Sequence, residues 1–285
     1  MNKGIPTLTR KMVMAKFPKR PHDSHKGLFG TVVVIGGATG MIGAPLLAAR
    51  AALKLGAGCV HVVLLADNAP GVDLLQPELM LHSATDALEL SGVDALAVGC
   101  GLGHDLVAQK ILYNTLKLDA TLVIDADALN LLARHTDLQD DLRARKSPAV
   151  ITPHPGEAAR LLACTTREIQ EDRAGAAQQL ALKLGCSVVL KGAGSVCVTR
   201  AGKMYLNTSG NPGMSSPGMG DVLTGMIAAF IAQGMPADDA MLLAAHLHGS
   251  AGDALAEKGI TIGMTAGDVI EWARWLLNQW TEHAA

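Results

Sequence analysis

The residue best placed to do chemistry is Asp221. It lies towards the end of a glycine-rich stretch, residues 207–225 (NTSGNPGMSSPGMGDVLTG), which carries Gly210, Gly213, Gly218, Gly220 and Gly225 and runs directly into an apolar helix. The first amides of a helix have no partner inside it, and the helix dipole adds positive character there, so the junction favours an anion. Glycines let the backbone approach a phosphate without interference from a Cβ. A carboxylate beside that cradle can take a hydroxyl proton while the amides hold developing charge. An ordinary Asp, with a pKa of about 3.9, is a weak base. That matters little in phosphoryl transfer, where positioning and charge stabilisation dominate. The competing reading is that Asp221 merely caps its helix, as Asp often does. The five glycines around it shift the balance towards phosphate chemistry.

Four other stretches carry candidate groups. Residues 189–195 (VLKGAGS) put Lys191 at a strand end, followed by Gly192, Ala193, Gly194 and Ser195. Such a loop addresses a nucleotide phosphate, or is equally a solvated hairpin corner. Residues 152–157 (TPHPGE) frame His154 between Pro153 and Pro155, a rigid turn that either presents a ligand-binding histidine or simply exposes it. Residues 99–103 (GCGLG) follow an apolar strand, and residues 124–130 (IDADALN) add Asp125 and Asp127 at another strand end. Either carboxylate can serve a metal or water shell or cap the helix that follows, and capping is expected of one of them. The absences narrow the class: there is no GxxxxGK[ST], no GxGxxG and no GxSxG. His246 and His248 diverge on a helix, so no metal site is expected there.

These groups need elements to position them. Short apolar runs at residues 31–35, 60–65, 95–98, 121–124, 150–152 and 188–190 alternate with longer Ala/Leu-rich runs. Continuous rather than alternating apolar strands suit a parallel sheet covered on both faces, built from βαβ units. Residues 196–199 and 203–206 straddle Gly202 and read as a hairpin. Thr165 with Glu168 forms a capping-box pattern for a helix running to about Leu184, and Thr265 with Asp268 does the same for the last helix. Helices are expected near residues 45–55, 221–233 and 237–258.

The chain of 285 residues is long enough for one large α/β domain, residues 26–285, behind a loose leader of residues 1–25. In that leader Met12, Val13, Met14 and Phe17 leave an ordered first helix and a flexible arm both open. A formal net charge of −2 and 3% aromatic residues disfavour nucleic acid. The basic leader lacks the apolar core of a secretory signal, and no apolar run is long enough to span a membrane. Five cysteines without a CxxC pair suit reduced thiols in a cytoplasmic protein.

In order along the chain, KGLFGTVVVIGG, GAPLLAARAALKLGAG, GCGLG, IDADALN, TPHPGE, LKGAGS and GNPGMSSPGMGDVLTG closely resemble the ADP-dependent NAD(P)H-hydrate dehydratases over about residues 26–253. These are carbohydrate-kinase-like repair enzymes of the ribokinase-like class. GMGD alone is shared across ribokinase-like kinases; TPHPGE with DADALN and the early GAPLLAARAAL are more specific. The resemblance implies a ribokinase-like α/β fold, with a central, mostly parallel sheet flanked by helices on both faces. It also implies a reaction: ADP phosphorylates the C6 hydroxyl of the S epimer of NAD(P)H hydrate, and loss of phosphate restores NADH or NADPH.

In that reaction Asp221 is the base. Ala44, Gly103 and His154, together with Asp221, match positions that contact the hydrated dinucleotide. Lys191, Gly192, Ala193, Gly194 and Ser195, with Gly220, match the adenine-nucleotide site. Magnesium is expected with the nucleotide phosphates, and the family tendency is a cytoplasmic homotetramer. Two positions depart from the family pattern. Cys100 replaces a usual proline, and Pro217 replaces a small residue; both are expected to alter loop rigidity only. Many members also carry an N-terminal epimerase domain. Only about 25 residues precede the match here, so a separate NAD(P)H-hydrate epimerase is the expected functional partner. The alternatives are an ATP-dependent kinase of a small alcohol, which would use the same Asp221 but release a stable phosphate ester, and a non-catalytic nucleotide-binding regulator. TPHPGE with DADALN speaks against the first and an intact Asp221 against the second.

Overall fold

The computed structural model describes residues 4–84 and 92–282. Its first strand, β1 (Thr31–Gly36), explains the rest of the architecture. Successive side chains of a strand point to opposite faces. Val32 and Val34 enter one buried cluster, while Val33 and Ile35 enter another. A strand that is apolar on both faces demands cover on both, and helices supply it.

β1 is followed by β2 (Cys59–Leu64), β3 (Met80–Ser83), β4 (Ala95–Val98), β5 (Thr121–Ile124), β6 (Ala149–Ile151) and β7 (Ser187–Leu190), all parallel to one another. β8 (Ser195–Val198) and β9 (Met204–Asn207) add an antiparallel margin, so the nine-stranded order is β3-β2-β1-β4-β5-β6-β7-β8-β9. The chain moves outward from β1 to β3 and then restarts on the other side of β1 with β4. The loops after β1 and β4 therefore leave the sheet in opposite directions. In open α/β sheets that switch point opens the crevice in which ligands bind.

One face is covered by α2 (Gly43–Lys54), α9 (Met219–Ala232), α10 (Ala237–Glu257) and α11 (Ala266–Glu282). The other is covered by α3 (Leu106–Leu116), α4 (Ala126–Arg134), α5 (Thr136–Ala144), α6 (Pro155–Leu162), α7 (Thr166–Glu171) and α8 (Arg173–Leu184). The crossing of α2 over α9 is close: a Cβ on Gly225 would lie 1.9 Å from the Ala48 carbonyl oxygen. Gly225 is thus a packing glycine inside α9 and does not belong to the phosphate cradle that the sequence pattern grouped it with.

Three other expectations change. The single helix from Thr165 to Leu184 is two helices. Thr165 and Glu168 cap α7 as expected, but Asp172 leaves the helical conformation and its side chain accepts from the Gly175 amide to start α8. The edge strand β3 was missed because its four residues (MLHS) show no apolar alternation and lie half in solvent. The leader is packed, not loose. α1 (Arg10–Met14) carries buried Val13, Leu8 is buried in the same cluster, and the Leu8 amide donates to the Leu206 carbonyl of β9. Among the described residues no helix is long and apolar enough to cross a membrane.

Candidate active site

The sheet brings the candidate groups to one edge. Gly103 follows β4, Asp125 follows β5, His154 follows β6 and Lys191 follows β7, so all leave the carboxyl ends of parallel strands. α9 meets this edge from one face with its N-terminus. Gly218, at a φ of +90°, occupies its N-cap without a side-chain cap, and Val222 is the first residue whose amide reaches back to the Gly218 carbonyl. The amides of Met219, Gly220 and Asp221 are therefore the orphan donors of the helix start. Asp221 does not cap this helix; it lies in the first turn.

A row of buried charge lies beneath. Lys191 Nζ donates to Asp125 Oδ1 at 2.7 Å and stands 4.0 Å from Glu157 Oε2. Asp125 is 1% exposed, and its other oxygen accepts from Thr224 Oγ1 of α9 at 3.0 Å. Capping was expected of Asp125 or Asp127. Asp125 does sit at the N-cap of α4, but its side chain makes no capping bond; the Lys191 ammonium and Thr224 hydroxyl take both of its oxygens. Asp127 is also directed elsewhere, accepting from the Gly103 amide at 2.9 Å and pairing with His104 at 3.2 Å. Gly220 touches the row: a Cβ there would lie 3.2 Å from Lys191 Nζ and 3.3 Å from Asp125 Oδ2.

His154 is more than an exposed loop residue. It is the N-cap of α6 and forms a reciprocal capping box with Glu157: its Nδ1 accepts from the Gly156 and Glu157 amides, and Glu157 Oε2 accepts from the His154 amide at 2.7 Å. The half-exposed ring lies at the mouth of the site while Glu157, 5% exposed, lies behind it. Ala44 opens α2, and its methyl carbon would meet a Cβ on Gly101 at 3.4 Å. That contact sets Ala44 against the loop that carries Gly103.

Burial dominates the protonation equilibria. It pushes Asp221 up to about 6, with Asp125 and Asp127 adding to the rise and the Cys100 thiol and Lys191 opposing it. Burial pushes Glu157 up to about 7, against the pull of Lys191. For Lys191 burial acts downward, but Asp125 and Glu157 outweigh it, so the ammonium is held above its ordinary range. Burial and the Lys191 charge both lower His154. Asp221 is thus an ionised carboxylate at neutral pH with a basicity well above that of an ordinary Asp, the tuning that general bases show. Cys100 was expected to affect loop rigidity alone. It is fully buried, and its thiol offsets part of the rise in the Asp221 pKa.

On the other side of Gly220 lies a pocket of about 450 Å³, lined by Lys191, Gly192, Ala193, Gly194 and Ser195, by residues of the 207–220 loop, and by His248 of α10. Arg173 holds the first loop from behind, donating to the carbonyls of Leu190, Lys191 and Ala193. Asp253 holds the second, accepting from the Gly210 amide and the Asn211 side chain. Sequence reading missed Glu157, Thr224, Arg173 and His248. Glu157 had a signal in the capping-box spacing after His154; Thr224 lies within the glycine-rich stretch but its partner Asp125 is 99 residues away, and Arg173 and His248 reach the pocket only through the fold.

A family model described as NAD(P)H-hydrate dehydratase matches residues 32–274. The chain belongs to this family. It is 42% identical over 270 residues to the ADP-dependent (S)-NAD(P)H-hydrate dehydratase of Neisseria meningitidis, covering 93% of this chain and 91% of that one. It is 40% identical to the bifunctional NAD(P)H-hydrate repair enzyme of Escherichia coli, covering 92% of this chain but 50% of that protein's length. Among solved structures, the ADP/ATP-dependent NAD(P)H-hydrate dehydratase of Bacillus subtilis, co-crystallized with ATP and Mg2+, superposes with a TM-score of 0.87 at 28% identity, over 98% of this chain and 99% of the other. The ribokinase-like α/β fold and the resemblance drawn from the motifs are both borne out.

Proposed function

We propose that the chain is an ADP-dependent dehydratase acting on the S epimer of NAD(P)H hydrate, with Asp221 as its base. The observation that carries the reading is the junction at Gly220. There a desolvated carboxylate, three orphan helix amides and the Lys191 pocket meet at the carboxyl edge of the parallel strands.

In this mechanism Asp221 accepts the proton of the C6 hydroxyl. The freed oxygen forms a bond to the terminal phosphorus of ADP, and the bridging oxygen leaves with its electron pair as AMP. The amides of residues 219–221 face the charge that develops on the phosphoryl oxygens. The C6–O bond then breaks, phosphate leaves with the electron pair, and the ring nitrogen's lone pair fills C6. Loss of a C5 proton restores the ring double bond. Ala44, Gly103 and His154 hold the hydrated dinucleotide, and residues 191–195 with Gly220 hold the adenine nucleotide.

Among the described residues no three His, Cys, Asp or Glu side chains are grouped to hold a metal. Magnesium is expected to arrive as the nucleotide complex, since Mg2+ is usually held by substrate phosphates with only one or two carboxylates. A cytoplasmic homotetramer and an epimerase supplying the S epimer belong to the same proposal. The five free cysteines and the bifunctional relatives support the setting and the partner, and light scattering tests the tetramer.

The direct test follows absorbance at 340 nm as hydrated NADH is mixed with magnesium and either ADP or ATP. Recovery with the wild type, falling at least ~100-fold in Asp221→Asn, supports both the reaction and the base. No recovery with either donor sinks the dehydratase reading and leaves a small-alcohol kinase to be screened.

A further inference from the structure

Glu157 is a buried carboxyl for which a helix cap is an incomplete explanation. A capping box needs only a side-chain oxygen at the third helical position, and glutamine supplies one as well as glutamate does. A buried carboxylate is costly to ionise unless it meets a positive partner. Here Glu157 Oε2 stands 4.0 Å from the Lys191 ammonium, whose nearer partner is Asp125 Oδ1 at 2.7 Å. The same ammonium faces Gly220, at the start of the helix that carries Asp221. His154, Glu157, Lys191, Asp125 and Thr224 thus form one continuous row, from the mouth of the dinucleotide side to the third residue beyond Asp221.

We infer that Glu157 is a positioning residue for phosphoryl transfer: with Asp125 it holds the Lys191 ammonium from two sides, beside Gly220, at the point where the two substrates meet. This rests on the dehydratase reading above. Asp125 anchors the ammonium along one direction; the Glu157 charge supplies a second and keeps it from turning fully onto Asp125. The groups facing Glu157 are Lys191 from the end of β7, Asp125 from the start of α4, and His154 and Arg160 at the N-cap and within α6. Burial pushes its ionisation up to about 7 and that of Asp221 up to about 6, so both carboxyls are expected to lose their protons between mildly acidic and neutral pH.

The test is Glu157→Gln, which removes the charge and keeps the cap. Its unfolding midpoint should stay within about 4 °C of the wild type. The value of kcat should fall roughly 10- to 100-fold, with KM for hydrated NADH changed less than about twofold, as expected when an interaction of the transition state is lost. The acidic limb of the kcat profile should change from two ionisations to one, centred at the Asp221 value. Wild-type kcat and an unchanged two-ionisation limb would reduce Glu157 to a cap and overturn the inference.

A measurement on the unaltered chain covers the case in which the variant fails to fold. The 13Cε resonance of Lys191 should titrate near pH 7 as Glu157 ionises; a flat response from pH 5 to 9 would also overturn it. Wild-type protein that does not restore 340 nm absorbance would defeat the dehydratase reading alone, because the resonance still reports the Glu157–Lys191 coupling.

Discussion

Two regions meet at Gly220 and are built in opposite ways. On the side proposed for the dinucleotide the working parts are side chains: Asp125 and Glu157 are almost fully buried at strand ends and face Lys191 at the boundary. On the nucleotide side the working parts are backbone. Residues 192–195 and 207–220 carry no Asp, Glu, Lys, Arg, His, Cys or Tyr, and their loops are held from behind by Arg173 and Asp253. Proton transfer needs a side chain whose pKa can be moved, and moving it takes burial. A phosphate needs several donors at fixed positions, which amides and glycines supply without any pKa to adjust. In the proposed mechanism the buried row therefore sets basicity, and the clamped loops set affinity.

Substitutions should separate these two effects. The largest belongs to Asp221→Asn, with kcat down at least ~100-fold and KM for ADP little altered. Stability should move the other way. An unfolded Asp loses its proton near 3.8, whereas folded Asp221 keeps it up to about 6. Folding thus favours the protonated form, a contribution complete below the lower value and lost as the pH rises through the upper one. Thermal unfolding from pH 4 to 8 should show Asp221→Asn overtaking the wild type above pH 6, by about 1–2 kcal/mol.

Gly220→Ala should come next, because its methyl would press on both Lys191 and Asp125 across the boundary. A loss of roughly 10- to 30-fold in kcat/KM is expected, since displacement of reacting groups by a fraction of an ångström is costly. Arg173→Ala should act on one side only. Freeing the carbonyls of Leu190, Lys191 and Ala193 should raise KM for ADP about 5- to 10-fold and leave KM for hydrated NADH unchanged. If both constants rise together, the division into two regions fails. The smallest effect is Cys100→Ala. Removing the thiol donor should move the Asp221 ionisation upward by less than about one pH unit, seen as a shift of the acidic limb of kcat/KM.

Much of this was legible in the chain. Continuous apolar runs such as TVVVI require cover on both faces, which dictates a parallel sheet between helices. The glycine-rich run into α9 marked Asp221, and the strand-end positions of His154, Asp125 and Lys191 marked one edge of that sheet. These signals are local: a run's periodicity, a capping spacing or a glycine before a helix acts within a few residues of itself.

What only the tertiary structure decided is how charges far apart in sequence compensate one another. Lys191 and Asp125 are separated by 66 residues, and Thr224 and Asp125 by 99. No spacing rule pairs them. Their meeting also decided that Asp125 is an ion-pair partner, a choice the sequence left open, just as the close approach of α2 reassigned Gly225 to packing. The pKa of Asp221 follows from the same cause. Basicity here comes from desolvation and from the charges facing a group, and both exist only once the chain has closed around it.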